Sequence, residues 1–250
     1  PTAMVSTFMR ERVVFRPDGC QNKFVTWTII WYKHNKIMRL LVTAGPTREF
    51  IDPVRFISNR SSGKMGYAVA AAGVSRGHEV VLVSGPVHLA APRGVRLIRV
   101  TTAAEMLRAV KTQAARCDAL VMAAAVADWR PRRVAARKMK KRRAALTLAL
   151  ERTDDILLAI HPKKGRRVFV GFAAETDHVM AEAKRKLAVK GLDLIVANDV
   201  TQPGAGFDTD TNQVTFLARN GTVEHLPLQT KKQVARRIIR WVETAVEARP

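Results

Sequence analysis

A chain of 250 residues, 47% of them hydrophobic, is long enough to bury a substantial core. Its longest apolar runs, such as "LVMAAAVA" at 120–127, are too short for a membrane span. The net charge of +22 points to an anionic partner, either nucleic acid or a triphosphate with phosphorylated substrates.

The charge is concentrated. Residues 130–143, "RPRRVAARKMKKRR", hold nine lysines and arginines and no acid, and "KKGRR" at 163–167 adds four more. Two cysteines, Cys20 and Cys117, form neither a metal ligand set nor a disulfide framework and fit a reducing cytoplasm. The early patch "FVTWTIIWY" is followed by no small-residue cleavage site, which argues against a signal peptide.

Residues 1–37 lack periodicity and read as an extension or an upstream translation not native to the domain, with the functional domain, residues 38–250, expected to start at Met38. "RLLVTAG" is a buried strand ending in glycine. A polar loop leads to a helix from Gly63 to Ser75, stopped by Gly77. "HEVVLVSGP" and "VRLIRV" are the next strands. Thr102 and Glu105 form a capping box for the helix "AAEMLRAVKTQAA", and "DALVMAAAVAD" reads throughout as a fourth strand. Beyond the basic stretch come the strand "LTLALE", the helix "DDILLAIH", the strand "RVFVGFAAE", the helix "HVMAEAKRKLAVKG" and the strand "LDLIVAND". Asn220-Gly221 between two apolar runs predicts a type I′ hairpin, and Thr230 with Gln233 caps a last helix to about Glu247. Strands alternating with helices predict an α/β fold: a Rossmann-like, mostly parallel sheet with helices on both faces, a C-terminal β-hairpin and a basic flap insertion at 130–143.

In such sheets ligands bind at the carboxyl ends of the strands, where the strand order reverses. Three loops there carry polar residues. "RFISNRSSGKMG" lacks the Walker A glycine, since Ser58 holds its place, and lacks the three glycines of a dinucleotide fingerprint. It still offers an anion the helix start near Ser62 and Gly63, with Lys64, Asn59 and Arg55 beside it. In "AAAVADWRP", the small residues Ala123, Ala124 and Ala125 leave room against the backbone, and Asp128 stands past the strand end. In "RKMKK", Lys138 is a candidate to close over a triphosphate. Lys186 and Lys190 lie four apart on one helix face.

Taken in order, "TAGPTREFIDPVRFISNRSSGKMG", "LVSGP", "AAAVADWRP", "KMKK", "GFAAET" and "DLIVANDV" resemble the phosphopantothenoylcysteine synthetases over about residues 38–245. The resemblance implies a ligase that joins 4'-phosphopantothenate to cysteine through an acyl-cytidylate, for coenzyme A. By position, Asn59 matches the asparagine that holds the intermediate, and Lys138 the flap lysine linked to forming it. Ala123, Ala124, Ala125 and Asp128 match the meeting place of nucleotide and acid. Asp154, Asp155, Ile156, Leu157, Phe172, Lys186 and Lys190 match nucleotide contacts. Arg55 matches a residue that reaches the substrate phosphate from a partner subunit. The family pattern also implies CTP rather than ATP, Mg2+ with the triphosphate, no flavin in this domain, a cytoplasmic location and a homodimer with exchanged flaps. Asp154 replaces the family's usual proline, and Arg137 its usual glutamate or lysine. Two other readings are a basic α/β nucleic-acid binder without ligase activity and a nicotinamide oxidoreductase. Residues 130–143 contain no aromatic for base stacking, and the glycine fingerprint is absent. Non-specific electrostatic binding of nucleic acid remains compatible with the charge.

Overall fold

Most of the strands found by apolar runs build one sheet. The structure, a computed structural model, describes residues 36–140, 146–175, 178–199, 206 and 209–249. The fold belongs to the unit 35–250; residues 1–35 of the N-terminal extension and flap residues 141–143 lie outside the described residues.

The strands are β1 (Arg39–Ala44), β2 (Arg48–Phe50), β3 (Phe56–Ser58), β4 (Glu79–Ser84), β5 (Val95–Arg99), β6 (Ala119–Met122) and β7 (Trp129–Pro131). They continue as β8 (Leu150–Arg152), β9 (Val168–Glu175), β10 (Leu194–Asp199), β11 (Thr211–Asn212), β12 (Val214–Ala218), β13 (Val223–His225) and β14 (Gln229–Thr230). The helices are α1 (Lys64–Ser75), α2 (Ala103–Ala114), α3 (Ile156–Ile160), α4 (Val179–Val189) and α5 (Lys231–Glu247). Eight strands form the main sheet in the order β13-β12-β10-β9-β6-β1-β4-β5. β5, β4, β1, β6, β9 and β10 run parallel, and β12 and β13 are antiparallel.

The pleat sorts the core into two layers. Leu40, Val42, Val121, Val170 and Val196 face α1 and α5, whereas Leu41, Leu120, Phe169 and Ile195 face α2, α3 and α4. Because both faces are covered, the strands need to be apolar throughout, as their sequences are. Both capping boxes form, at Thr102 with Glu105 and at Thr230 with Gln233.

Three expectations are corrected. Of "LTLALE" only the last two residues are strand, in β8, which pairs with β7 in a separate two-stranded sheet. The fourth strand ends at Met122, because residues 123–127 peel away to bond the loop after β1. The Asn220-Gly221 turn is not type I′, which requires positive φ at both central residues. Gly221 has φ +88°, while His178 is the one non-glycine with positive φ among the described residues. Residues 219–221 instead form a three-residue loop, with the Gly221 N–H donating to the Ala218 carbonyl at 3.0 Å and the Ala218 N–H to Thr222 at 2.9 Å. Tertiary bonds select it: the Arg219 N–H donates to the Asp193 carbonyl at 2.9 Å, and its Nε to the Leu192 carbonyl at 2.9 Å.

Candidate functional site

From β1 the chain moves to β4 and β5 on one side, then returns to place β6 on the other. The order therefore reverses between β1 and β6, and a crevice opens at their carboxyl ends. Two fully buried threonines shape it. The Thr43 hydroxyl donates to Met122 Sδ at 3.2 Å and accepts from the Ala124 N–H at 3.1 Å. Thr47 Oγ1 accepts from the Ala127 N–H at 2.9 Å, and its carbonyl accepts from Ser58 Oγ at 2.7 Å. The Ala125 N–H donates to the Gly45 carbonyl at 2.9 Å. These bonds hold residues 123–127 against the first loop. Sequence reasoning passed over both threonines, although two hydroxyls in "TAGPT" directly after a buried strand are the available signal.

Asn59 is exposed at the junction, its Nδ2 donating to the Val126 carbonyl at 2.8 Å. That bond brings the expected asparagine to the expected alanines. Ala123, Ala124 and Ala125 are half-buried, and Asp128 is exposed beside them. The Thr153 hydroxyl donates to the Ala127 carbonyl at 2.6 Å, and its N–H to the Asp128 carbonyl at 2.9 Å. Asp154 follows, exposed to solvent. Asp155 caps α3 by accepting from the Leu158 N–H at 3.1 Å. Lys190 pairs with Asp155 at 2.8 Å, so it neutralises this carboxylate rather than that of Asp154. Lys186 lies one turn earlier on α4 and is half-buried. Phe172, half-buried, stands one residue past the Met122–Gly171 pairing of β6 with β9. Ile156 and Leu157 are core side chains, which leaves only their backbone to face a ligand.

Glycine serves geometry here. Gly63, at φ +76°, begins α1 without a side-chain cap. A Cβ on Gly66 would stand 2.5 Å from Ala44 Cβ and 2.7 Å from the Thr43 carbonyl oxygen. Gly66 thus lets α1 lie directly on the end of β1. Lys64 pairs with Asp210 at 2.7 Å.

Arg55 and Lys138 form a neighbouring group. Asp52 is fully buried and accepts from the N–H groups of Val54 and Arg55, both at 2.9 Å, from Arg55 Nε at 3.0 Å and from the Met139 N–H at 3.1 Å. The Arg55 guanidinium beside it holds its carboxyl far below the usual range. Arg55 Nη2 also donates to the Met139 carbonyl at 2.9 Å, and the Ala135 N–H to the Ile51 carbonyl at 2.9 Å. The base of the flap is therefore anchored to its own chain, with Lys138 exposed beside the anchor. Cys117 lies elsewhere, buried, its thiol pushed up to about 11 by burial.

Among the described residues no cluster of three His, Cys, Asp or Glu side chains could hold a metal. Asp128 and Asp154 offer oxygen donors. They suit a magnesium ion that takes one or two carboxylates and completes its shell with phosphate and water.

The molecule is thus an α/β domain whose ligand crevice opens at a topological switch point without a glycine-rich dinucleotide loop. The chain belongs to the DNA/pantothenate metabolism flavoprotein C-terminal domain family, whose model matches residues 36–246; this is the family to which the motifs pointed. It is 49% identical over 204 residues to the Coenzyme A biosynthesis bifunctional protein CoaBC of Bacillus subtilis (strain 168), a match covering 81% of this chain and 50% of that protein. The chain spans about half the length of the curated relatives it matches. The crystal structure of the C-terminal domain of a CoaBC protein superposes with a TM-score of 0.73 at 44% identity, covering 84% of this chain and 96% of that one. A mutant of Cab2, in complex with phosphopantothenate-cysteine, shares the fold at 17% identity and a TM-score of 0.67, covering 84% and 88% of the two chains. Among the described residues no helix is long and apolar enough to cross a membrane.

Proposed function

We propose that this domain joins 4'-phosphopantothenate to cysteine in coenzyme A synthesis, using CTP. The observation that carries the reading is the Asn59 Nδ2 bond to the Val126 carbonyl, which joins the anion-binding loop to the crevice lined by residues 123–128. The substrate carboxylate attacks the α-phosphate of CTP, and pyrophosphate leaves. The cysteine amine then attacks the acyl carbon, and CMP leaves with the electron pair of the broken bond. Such chemistry requires charge neutralisation and positioning more than a protein nucleophile.

In this mechanism the α1 start and, from the other subunit, Arg55 face the substrate phosphate, and Lys138 neutralises charge growing on the departing pyrophosphate. Asn59 donates to the acyl oxygen of the intermediate through its amide. Magnesium, held by Asp128 and Asp154 with the triphosphate, would screen its charge. Asp128, Phe172, Lys186 and Lys190 line the nucleotide side. Several relatives are named for coenzyme A biosynthesis, and one structure of the same fold was solved with phosphopantothenate-cysteine; both support the reading.

We also propose a homodimer with flaps exchanged between subunits, in which Lys138, held beside Arg55 and Asp52 of its own chain through Met139, serves the crevice of the other subunit. Trp129 and Leu150, on the paired strands β7 and β8, and Val134 and Leu146, nearby in sequence, are exposed apolar side chains, which a partner subunit would cover. Conversion of phosphopantothenate, cysteine and CTP into the amide, followed by mass spectrometry beside an ATP arm, tests the activity. Equal or greater product with ATP would reject the nucleotide assignment, and no product with either would reject the ligase.

A further inference from the structure

The "KKGRR" turn takes no part in the crevice. It lies at the opposite, amino-terminal end of the sheet, just before β9. Gly165, at φ +52°, reverses the chain there, sending Lys164 inward and Arg166 outward. Lys164 is buried and bonds the Gly191 carbonyl at 2.6 Å and Asp193 at 2.8 Å. The same Asp193 carboxylate pairs with Arg249 at 2.7 Å and lies 3.8 Å from Arg219. One carboxylate is shared by three cations.

Around them is a cavity of about 620 Å³, lined by His161, Lys164, Arg166, Asp193, Arg219 and Arg249. A second, of about 460 Å³, shares Arg166 and Arg249 and adds Lys36, Asp118 and Arg167. Together they set six lysines and arginines against two carboxylates. Several donors remain uncommitted. The Arg166 guanidinium donates through Nη2 to the Arg249 carbonyl at 3.2 Å, and Arg219 bonds a carbonyl through Nε while its side chain stays 57% exposed. A guanidinium has five N–H groups. Burial lowers the Lys164 pKa against the pull of Asp193, and the nearby Arg219 and Arg249 charges lower it further. An anion in the groove would relieve that repulsion.

We propose that this groove is a second anion site, for a small ligand with two or more phosphate groups. Forked guanidiniums match phosphate oxygens, and the volume exceeds a single phosphate. Among the lining residues no Phe, Tyr or Trp offers a stacking surface, which favours a compact polyphosphate over a single-stranded polymer.

Inorganic tripolyphosphate is the probe, followed by hydrogen exchange and calorimetry at low salt on the whole chain. Slowed exchange in residues 161–167 and 217–221 is expected. The double variant Arg166→Ala/Arg219→Ala should weaken this binding by about tenfold per guanidinium removed, with pyrophosphate release from CTP unchanged. Protection confined to residues 59–64 and 123–128, or undiminished calorimetric affinity in a folded variant, would overturn the site. If the variant does not fold, exchange on the unaltered chain decides. A single-stranded oligonucleotide that protects the groove where tripolyphosphate does not would overturn the small-ligand assignment.

Discussion

Asn59 sits where two loops from different strands meet, and its amide donates to Val126 at 2.8 Å. If it holds the acyl intermediate, Asn59→Ala should separate the two steps. Pyrophosphate should still form in the first turnover, while cysteine-dependent amide formation falls by roughly 10²–10³-fold. Rapid-quench measurement of both products checks this; an equal loss of both would place Asn59 in the first step instead. Asp52 acts differently, as the buried acceptor for five N–H groups from three residues. Asp52→Ala should release the flap, and trypsin should then cut within residues 130–140 faster than in the unaltered chain. Since the folded carboxyl titrates below the unfolded one, its contribution is complete above the ordinary aspartate range. It is lost only as pH falls through stronger acid.

The elements were legible wherever one local rule decided them. β1, β4 and β10 are apolar runs buried on both faces, and α2 and α5 begin at capping boxes written in four residues. What escaped was decided by tertiary partners. β2, β3 and β7 have three residues each, too few for a period, and their pairing depends on neighbouring loops. The three alanines after Met122 suit a strand no less than a loop; Thr43 and Thr47, distant in sequence, decide for the loop. Of the site, Asn59, the alanines and Asp128 were readable from motifs. The Lys190–Asp155 pair and the Asp52 anchor depend on geometry that no spacing encodes. Packing of α1 on β1 gives a test at this scale. Gly66→Ala sets a methyl against Ala44 and the Thr43 carbonyl, costing about 1–3 kcal/mol. The melting temperature should fall about 2–4 °C per kcal/mol. A calorimetric scan measures it, and an unchanged melting temperature would mean that helix and strand part freely.

At the scale of the molecule, the sheet separates two charged ends. The carboxyl end holds the crevice at the β1–β6 switch point, and the amino end holds the Asp193 groove. The flap joins the crevice to the proposed dimer. Asn59→Ala and Lys138→Ala, each inactive alone, should regain roughly a quarter of full activity when mixed and allowed to exchange. Half the dimers are then mixed, and each mixed dimer with exchanged flaps has one intact site. A mixture without recovery would assign each flap to its own chain. In the proposed reaction the crevice activates a carboxylate with CTP before cysteine enters. The most direct measurement is pyrophosphate release from phosphopantothenate and CTP, first without cysteine and then with it. A first-turnover release of one pyrophosphate per site is expected without cysteine, and continuous turnover once it is added. No release under either condition, from folded protein, would contradict it.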